Sequence, residues 1–370
     1  MILRFASGTA EDAVQALRER LESEGLRVLR SSEESRPILG IAGKVPEGIA
    51  KSLRALAEIE QIVQPSGELL LAARAMRDAA AGRSTVVDVG GVRVGGDEVV
   101  VIAGPCSVEG RELVLEVARK VAECGAHLLR GGAFKPRTSP YAFQGFGVEG
   151  LRQLKDAGLA VGLPVVSEIM DASDVPSFVE HGIDCLQIGA RNMQNFTLLK
   201  AVARANRPVL LKRGLAATAE EWLYAAEYLF EGGCEQVILC ERGIRTFEKA
   251  TRNTLDLTVL PLLREWTHVP LIVDPAHAAG IARIIPPLAR ASIAAGADGV
   301  AVEVHLNPAE ARSDGPQALL PSELVGIVSD ARILAAATGR RLHAPPGISA
   351  RRGAGSFRTA NTPGALPPGG

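Results

Sequence analysis

From residue 99 onward the chain repeats one pattern: a short apolar run, a polar loop, then a stretch of helical periodicity. The runs are VVVIAG, AHLLRG, PVVSE, CLQIGA, PVLLKR, QVILCE, PLIVDP and GVAVEV, eight in all. Each is apolar almost throughout, as expected of a parallel strand covered on both faces, and the segments between them are long enough to be crossover helices. Eight such units within residues 99–338 predict a (β/α)8 TIM barrel. An open, doubly wound sheet is the structural alternative, but no dinucleotide-type GxGxxG follows the first run.

Residues 1–66 predict a separate small α+β unit of order βαββαβ, the ferredoxin-like arrangement, with helices over 9–24 and 46–56. Thr9 is the expected start of the first helix, and apolar Val14, Leu17 and Leu21 recur at helical spacing. Residues 67–98 predict a connector helix over 67–81 and a hairpin at GGVRVGGDE. Residues 339–370 carry five Arg and no acid among many Gly and Pro, the composition of a flexible basic tail.

With 41 Lys+Arg against 42 Asp+Glu the formal net charge is −1, which argues against a general nucleic-acid binder or a protein of anionic membrane surfaces. No apolar run reaches the eighteen or so residues of a membrane span, and Met1 leads directly into the strand-like ILRFA, so a cytoplasmic protein is expected. The five cysteines lack CxxC spacing and do not suit a disulfide framework.

Catalytic groups of such barrels lie at the C-terminal ends of the strands. There the sequence sets GPCS with Cys106, Arg130 leading into GGAFKPRTSPY, Glu168, GAR with Arg191, the pair Lys212 and Arg213, ERG with Arg242, DPAH with His277, and EVH with Glu303, followed by SDGP with Asp314. Arg130, Lys135, Arg137, Arg191, Lys212, Arg213, Arg242 and Arg245 would crowd cations onto one rim, which repels itself unless anions fill it. Rim acids such as Glu109, Glu168 and Glu241 pair with a share of them, and phosphate or carboxylate groups are the natural ligands of the rest. Cys106, His277, Glu303 and Asp314 form a mixed soft and hard donor set suited to one divalent metal ion such as Mn, Fe, Co or Zn. Cys124, Cys185, Cys234, Cys240, His127, His181, His268 and His343 fall elsewhere and are expected to be structural.

GPCS, KPRTSPY, QIGARNMQNF, LLKRG, CERGIRTFE, DPAHAAG, AVEVH and SDGPQ together resemble the 3-deoxy-D-arabino-heptulosonate 7-phosphate (DAHP) synthase family, entry enzymes of the shikimate pathway, over about Val99 to Leu334. KPRT at 135–138 is similar to the DAHP form rather than to the sibling 3-deoxy-D-manno-octulosonate 8-phosphate (KDO8P) synthases. The resemblance implies condensation of phosphoenolpyruvate with erythrose 4-phosphate. It also implies a metal on Cys106, His277, Glu303 and Asp314 that polarises the aldehyde. Phosphoenolpyruvate would be held by Arg130, Lys135, Arg191, Lys212, Arg242 and the Ala190 N–H, and erythrose phosphate by Arg137 and Thr138. Within that reaction Lys135 is the candidate acid and Glu168 the candidate group for the attacking water. The N-terminal unit is similar to a regulatory domain that responds to aromatic amino acids, Tyr or Phe, and a homotetramer or dimer is implied. The competing readings are KDO8P synthase acting on arabinose 5-phosphate and a non-catalytic amino-acid sensor.

Overall fold

The computed structural model describes residues 1–31, 36–65, 69–77, 84–137 and 139–344; Thr138 and the tail from 345 lie outside the described residues. Its first unit runs β1 (Ile2–Phe5), α1 (Glu11–Ser23), β2 (Arg27–Arg30), β3 (Ile38–Ala42), α2 (Glu47–Arg54) and β4 (Ile59–Val63). The four strands form an antiparallel sheet of order β2-β3-β1-β4, which is ferredoxin-like. Period-two alternation assigns its faces: Leu3, Phe5, Leu39 and Ile41 pack under α1 and α2, while Ile2 and Ile38 join the main core with Leu70 and Met76. Helix α1 begins at Glu11, two residues later than the sequence suggests. Thr9 does not cap it, because its hydroxyl donates instead to the Ala6 carbonyl at 2.8 Å.

The connector is not the helix that its composition predicts. Described residues 69–77 contain one short 3-10 turn, Arg74–Met76. Their amides are taken by the barrel: the half-buried Glu227 carboxylate accepts from the backbone N–H of Leu70, Leu71 and Ala72 at 3.2, 2.7 and 2.8 Å, and Ala73 bridges to Thr267. A charged acceptor for three consecutive amides outweighs a helix preference of a few tenths of a kcal/mol per residue. The hairpin β5 (Val87–Val89) and β6 (Val92–Val94) follows, turning through Gly90 and Gly91 at φ of 59° and 94°, a conformation that favours glycine.

The eight parallel runs are β7 (Glu98–Gly104), β8 (Leu128–Arg130), β9 (Val165–Ile169), β10 (Cys185–Ile188), β11 (Val209–Lys212), β12 (Val237–Glu241), β13 (Leu271–Val273) and β14 (Gly299–Glu303). Each pairs with the next, and β14 returns to β7 through Gly299–Val100 to Glu303–Gly104, closing the barrel. The helices around it are α3 (Arg111–Glu123), α4 (Gly147–Val161), α5 (Val175–Glu180), α6 (Phe196–Ala203), α7 (Ala219–Glu231), α8 (Val259–Trp266), α9 (Pro275–Ala279), α10 (Ile285–Ala294) and α11 (Pro321–Ala337). A last short strand, β15 (Arg341–Leu342), lies beside the start of β7. Among the described residues no helix is long and apolar enough to cross a membrane.

One set of strand residues, among them Val101, Leu129, Leu186, Leu211 and Val302, packs with the helices. The alternate set, Val100, Ile102, Leu128, Val166, Cys185, Leu210, Ile238, Cys240, Ile272 and Ala301, fills the interior together with Val87, Val89, Val92 and Val94 of the hairpin. The hairpin therefore plugs the N-terminal mouth. Moving two residues along each strand from that apolar layer leads to Arg130, Glu168, Gln187, Lys212, Asp274 and Glu303, so the same parity carries polar groups to the C-terminal mouth.

Two buried histidines stitch the lower end. His127 Nδ1 accepts from Val101 N at 2.8 Å and its Nε2 donates to the His343 carbonyl at 2.8 Å. His268 Nε2 donates to the Leu71 carbonyl and its Nδ1 accepts from Thr85, each at 2.8 Å. Burial lowers both rings to about 4 from an ordinary 6.5, so each is neutral in the fold. A depressed histidine contributes stability that is complete above the unfolded value and lost as pH falls toward the folded one, here about 3 kcal/mol apiece. Denaturant midpoints are expected to drop between pH 6.5 and 4, and a His127→Gln/His268→Gln variant should be weaker at pH 7 with a shallower fall. An equal slope in both proteins would contradict this.

Candidate active site and metal centre

Cys106, His277, Glu303 and Asp314 are separated by up to about 200 residues in sequence, yet their donor atoms all lie within 4.8 Å of one another. Cys106 stands on the loop after β7, His277 in α9 after β13, Glu303 at the end of β14 and Asp314 on the loop beyond it. Cys106 Sγ is 3.0 Å from Asp314 Oδ2, and His277 Nε2 is 3.3 Å from Glu303 Oε1. His277 is oriented from behind: its backbone N–H and Nδ1 both donate to Asp274, at 2.9 and 2.7 Å, which leaves Nε2 as the free ring nitrogen. Lys212 Nζ lies 2.5 Å from the same carboxylate.

Glu303 is fully buried, and its Oε1 has no hydrogen-bond donor although Arg130 Nη2 lies 3.2 Å away. A buried carboxylate oxygen without a donor, facing a thiol, an imidazole nitrogen and a second carboxylate, fits a divalent cation. Burial pushes the Cys106 thiol up to about 12, with Glu303 adding to it. Burial likewise lowers His277 despite the pull of Asp274 and Glu303, so the ring is neutral at pH 7. Burial opposes ionisation of Glu303 too, but His277 and Arg130 bring its carboxyl below the ordinary range. Since the imidazole is neutral, Arg130 supplies the standing positive charge.

Above this cluster opens a cavity of about 500 Å³ lined by Lys135, Arg137, Arg191, Lys212, Arg242, Arg245 and Arg252, with Glu168 and Asp314 as its acids and with Ala190 and His277 also on the wall. Lys135 Nζ sits 3.0 Å from Cys106 Sγ and 3.1 Å from its carbonyl. Arg191 donates to the Pro136 carbonyl, and Arg242 to the carbonyls of Gly243 and His277. Arg130 lies beneath the cavity, against Glu303. Arg213 is the exception among the expected rim cations: it turns away to bond Glu241 and Asp256 at 3.1 and 2.8 Å and to lie over Trp222. Glu168 accepts from Gln187 at 3.1 Å, and a Cβ at Gly189 would fall 2.0 Å from Glu168 Oε1, so this carboxylate can sit there only because residue 189 is glycine. Thr138, expected beside Arg137, lies outside the described residues.

A family model described as the DAHP synthetase I family matches residues 76–336. The chain belongs to that family. It is 43% identical to the phospho-2-dehydro-3-deoxyheptonate aldolase of Thermotoga maritima over 93% of this chain and 100% of that relative. A crystal structure of phospho-2-dehydro-3-deoxyheptonate aldolase (DAHP synthase) from Thermotoga maritima superposes with a TM-score of 0.72 at 42% identity, covering 92% of this chain and 98% of that one. A 2-dehydro-3-deoxyphosphooctonate aldolase of Acidithiobacillus ferrooxidans is also similar, at 35% identity over 59% of this chain and 82% of its own length.

Within this DAHP synthetase I family barrel, several polar residues of the site escape a reading of the sequence. Asp274 and Gln317 stand inside the motifs DPAH and SDGPQ, and a search for buried partners of His277 and Glu303 would have reached them. Gln187 opens the motif QIGARNMQNF without being singled out there, and Arg252 carries no local signal; only the fold brings Arg252 3.0 Å from Asp314.

The protonation states predict the stoichiometry of metal uptake. With a neutral ring, ionised carboxylates and a protonated thiol, binding of one divalent ion near pH 7 should release about one proton, and affinity should strengthen as pH rises. Indicator dye in weak buffer would read the proton, and Cys106→Ser should abolish the release. Uptake without release would remove Cys106 from the ligand set.

Proposed function

We propose that this protein condenses phosphoenolpyruvate with erythrose 4-phosphate and water to give DAHP and inorganic phosphate, a metal-dependent reaction at the entry to aromatic amino acid biosynthesis. The observation that carries the reading is a cavity of about 500 Å³ in which seven Lys and Arg side chains stand over a Cys–His–Glu–Asp cluster. Two phosphorylated substrates supply the anions such a wall requires, and a divalent ion satisfies the donor set. Full-length similarity to a DAHP-forming aldolase, against partial similarity to octulosonate-forming ones, supports the four-carbon sugar.

Cys106, His277, Glu303 and Asp314 would hold the ion, of the Mn, Fe, Co or Zn class, and when bound it supplies Lewis-acid polarisation of the sugar aldehyde. Arg130, Lys135, Arg191, Lys212 and Arg242, with the Ala190 N–H, hold the phosphate and carboxylate of phosphoenolpyruvate; Arg137 and Thr138 take the sugar phosphate. Holding both substrates in one cavity replaces a bimolecular encounter by an aligned one, which matters because the enol carbon is a modest nucleophile. As the new carbon–carbon bond forms, the aldehyde oxygen gains charge and Lys135 gives it a proton. Burial opposes the charge on Lys135, yet Glu168 and Glu303 keep it protonated, as an acid must be. The former enol carbon becomes electron-poor and takes a water that Glu168 orients and deprotonates, after which the carbon–oxygen bond to phosphate breaks.

Feedback by Tyr or Phe at the N-terminal unit, assembly into a homotetramer or dimer, and a cytoplasmic setting belong to the same proposal. Phosphate release from phosphoenolpyruvate tests its core: chelator-treated protein given Mn(II) should turn over with erythrose 4-phosphate and not with arabinose 5-phosphate. Activity with the five-carbon sugar alone would assign the KDO8P reaction, and silence with both would leave the amino-acid sensor. Lys135→Met should lower turnover by roughly 10²- to 10⁴-fold; near-normal turnover would refute its role as acid.

A further inference from the structure

We propose that Gln317, held in place by Arg252, is a positioning residue of the metal centre that occupies one oxygen of Glu303 and so reserves the other for the cation. The inference rests on the metal reading above. Gln317 Nε2 donates to Glu303 Oε2 at 2.6 Å, and both side chains are buried, 2% and 0% exposed. The remaining oxygen, Oε1, has no donor and faces His277 Nε2 at 3.3 Å. An amide is nearly symmetric in shape, so its orientation needs a separate cause. Arg252 Nη1 supplies it by donating to Gln317 Oε1 at 2.9 Å. A flipped amide would set oxygen against the buried carboxylate and N–H against the guanidinium, two repulsions, the first of them away from water.

The same Arg252 nitrogen donates to Asp314 Oδ1 at 3.0 Å, which leaves Oδ2 beside Cys106 Sγ. One guanidinium and one amide thus select a single oxygen on each of the two carboxylates. The local backbone makes this possible. Asp314 adopts φ of 52°, and a 3-10 turn over Gly315–Gln317 closes with Gln317 N donating to the Asp314 carbonyl at 3.1 Å, bringing both side chains to one point. A Cβ at Gly315 would lie 2.3 Å from the Pro308 carbonyl, so the turn depends on glycine.

The test uses the full chain, stripped with chelator and titrated with Co(II) alone, reading both affinity and the ligand-field absorption. Gln317→Leu, close in size but without a donor, should bind Co(II) roughly 10- to 100-fold more weakly, with a changed spectrum. Arg252→Met, at a half-exposed position, should shift both readouts in the same direction by a smaller factor, and Arg252→Lys should recover part of the loss. Denaturant melts of the metal-free proteins establish that each variant is folded. Wild-type affinity and spectrum in both Gln317→Leu and Arg252→Met, or lower metal-free stability as their one defect, would overturn the positioning role and leave the metal reading standing. Failure of the unsubstituted protein to bind Co(II) would instead overturn the metal reading, and this inference with it.

Discussion

Glu303 is a carboxylate with no exposure to solvent, at the end of the strand that closes the barrel. A charge in such a place costs several kcal/mol unless its surroundings answer it. They do so with groups from four different parts of the chain: Arg130 from β8, His277 from α9, Gln317 from the turn beyond β14, and Arg252 behind Gln317. Closure of the sheet is what brings these groups to one carboxylate. Removing the ring of strands would leave no element able to hold them, which ties the chemistry of the site to the topology of the fold rather than to any one loop.

The two mouths of the barrel divide the work. At the N-terminal mouth four valines of the β5–β6 hairpin complete an apolar interior, and neutral His268 and the Glu227 carboxylate bind the connector to the barrel by hydrogen bonds to main-chain groups. At the other mouth the same alternation presents Lys212 paired with Asp274, and His277 between Asp274 and Glu303. The lower mouth is closed by apolar packing, whereas the upper one opens into a wall with more cations than acids. The connector also lays Leu70 and Met76 against the small N-terminal sheet, so that the apolar core runs without a break from that sheet into the barrel.

How far the residues themselves disclosed this depends on how local each cause is. All eight apolar runs are strands, because burial on both faces writes itself into consecutive residues. The hairpin was legible from its glycines, whose positive φ is a one-residue requirement. The connector was not: its composition favours helix, and the acceptor that overrides it, Glu227, lies some 155 residues away. Thr9 fails as a cap for a smaller version of the same reason, since its hydroxyl found a carbonyl within reach. Arg213 looked equivalent to Lys212 next to it, but neighbours on a strand point to opposite faces, and Arg213 meets Glu241 and Asp256 instead of the cavity.

The sequence alone determined the repeating unit, its number and the kinds of chemical group at each strand end, because periodicity and residue type are local properties. Which of those groups meet was decided by the tertiary structure. Closing eight strands sets the angle and height at which every side chain enters the mouth, and that placed Cys106, His277, Glu303 and Asp314 within 4.8 Å of one another. It also recruited Asp274, Gln317 and Arg252 as their supports. Hydrogen bonds and charge pairs act over a few ångströms, whereas the residues that make them here are separated by up to about 200 positions, and only the fold converts one distance into the other.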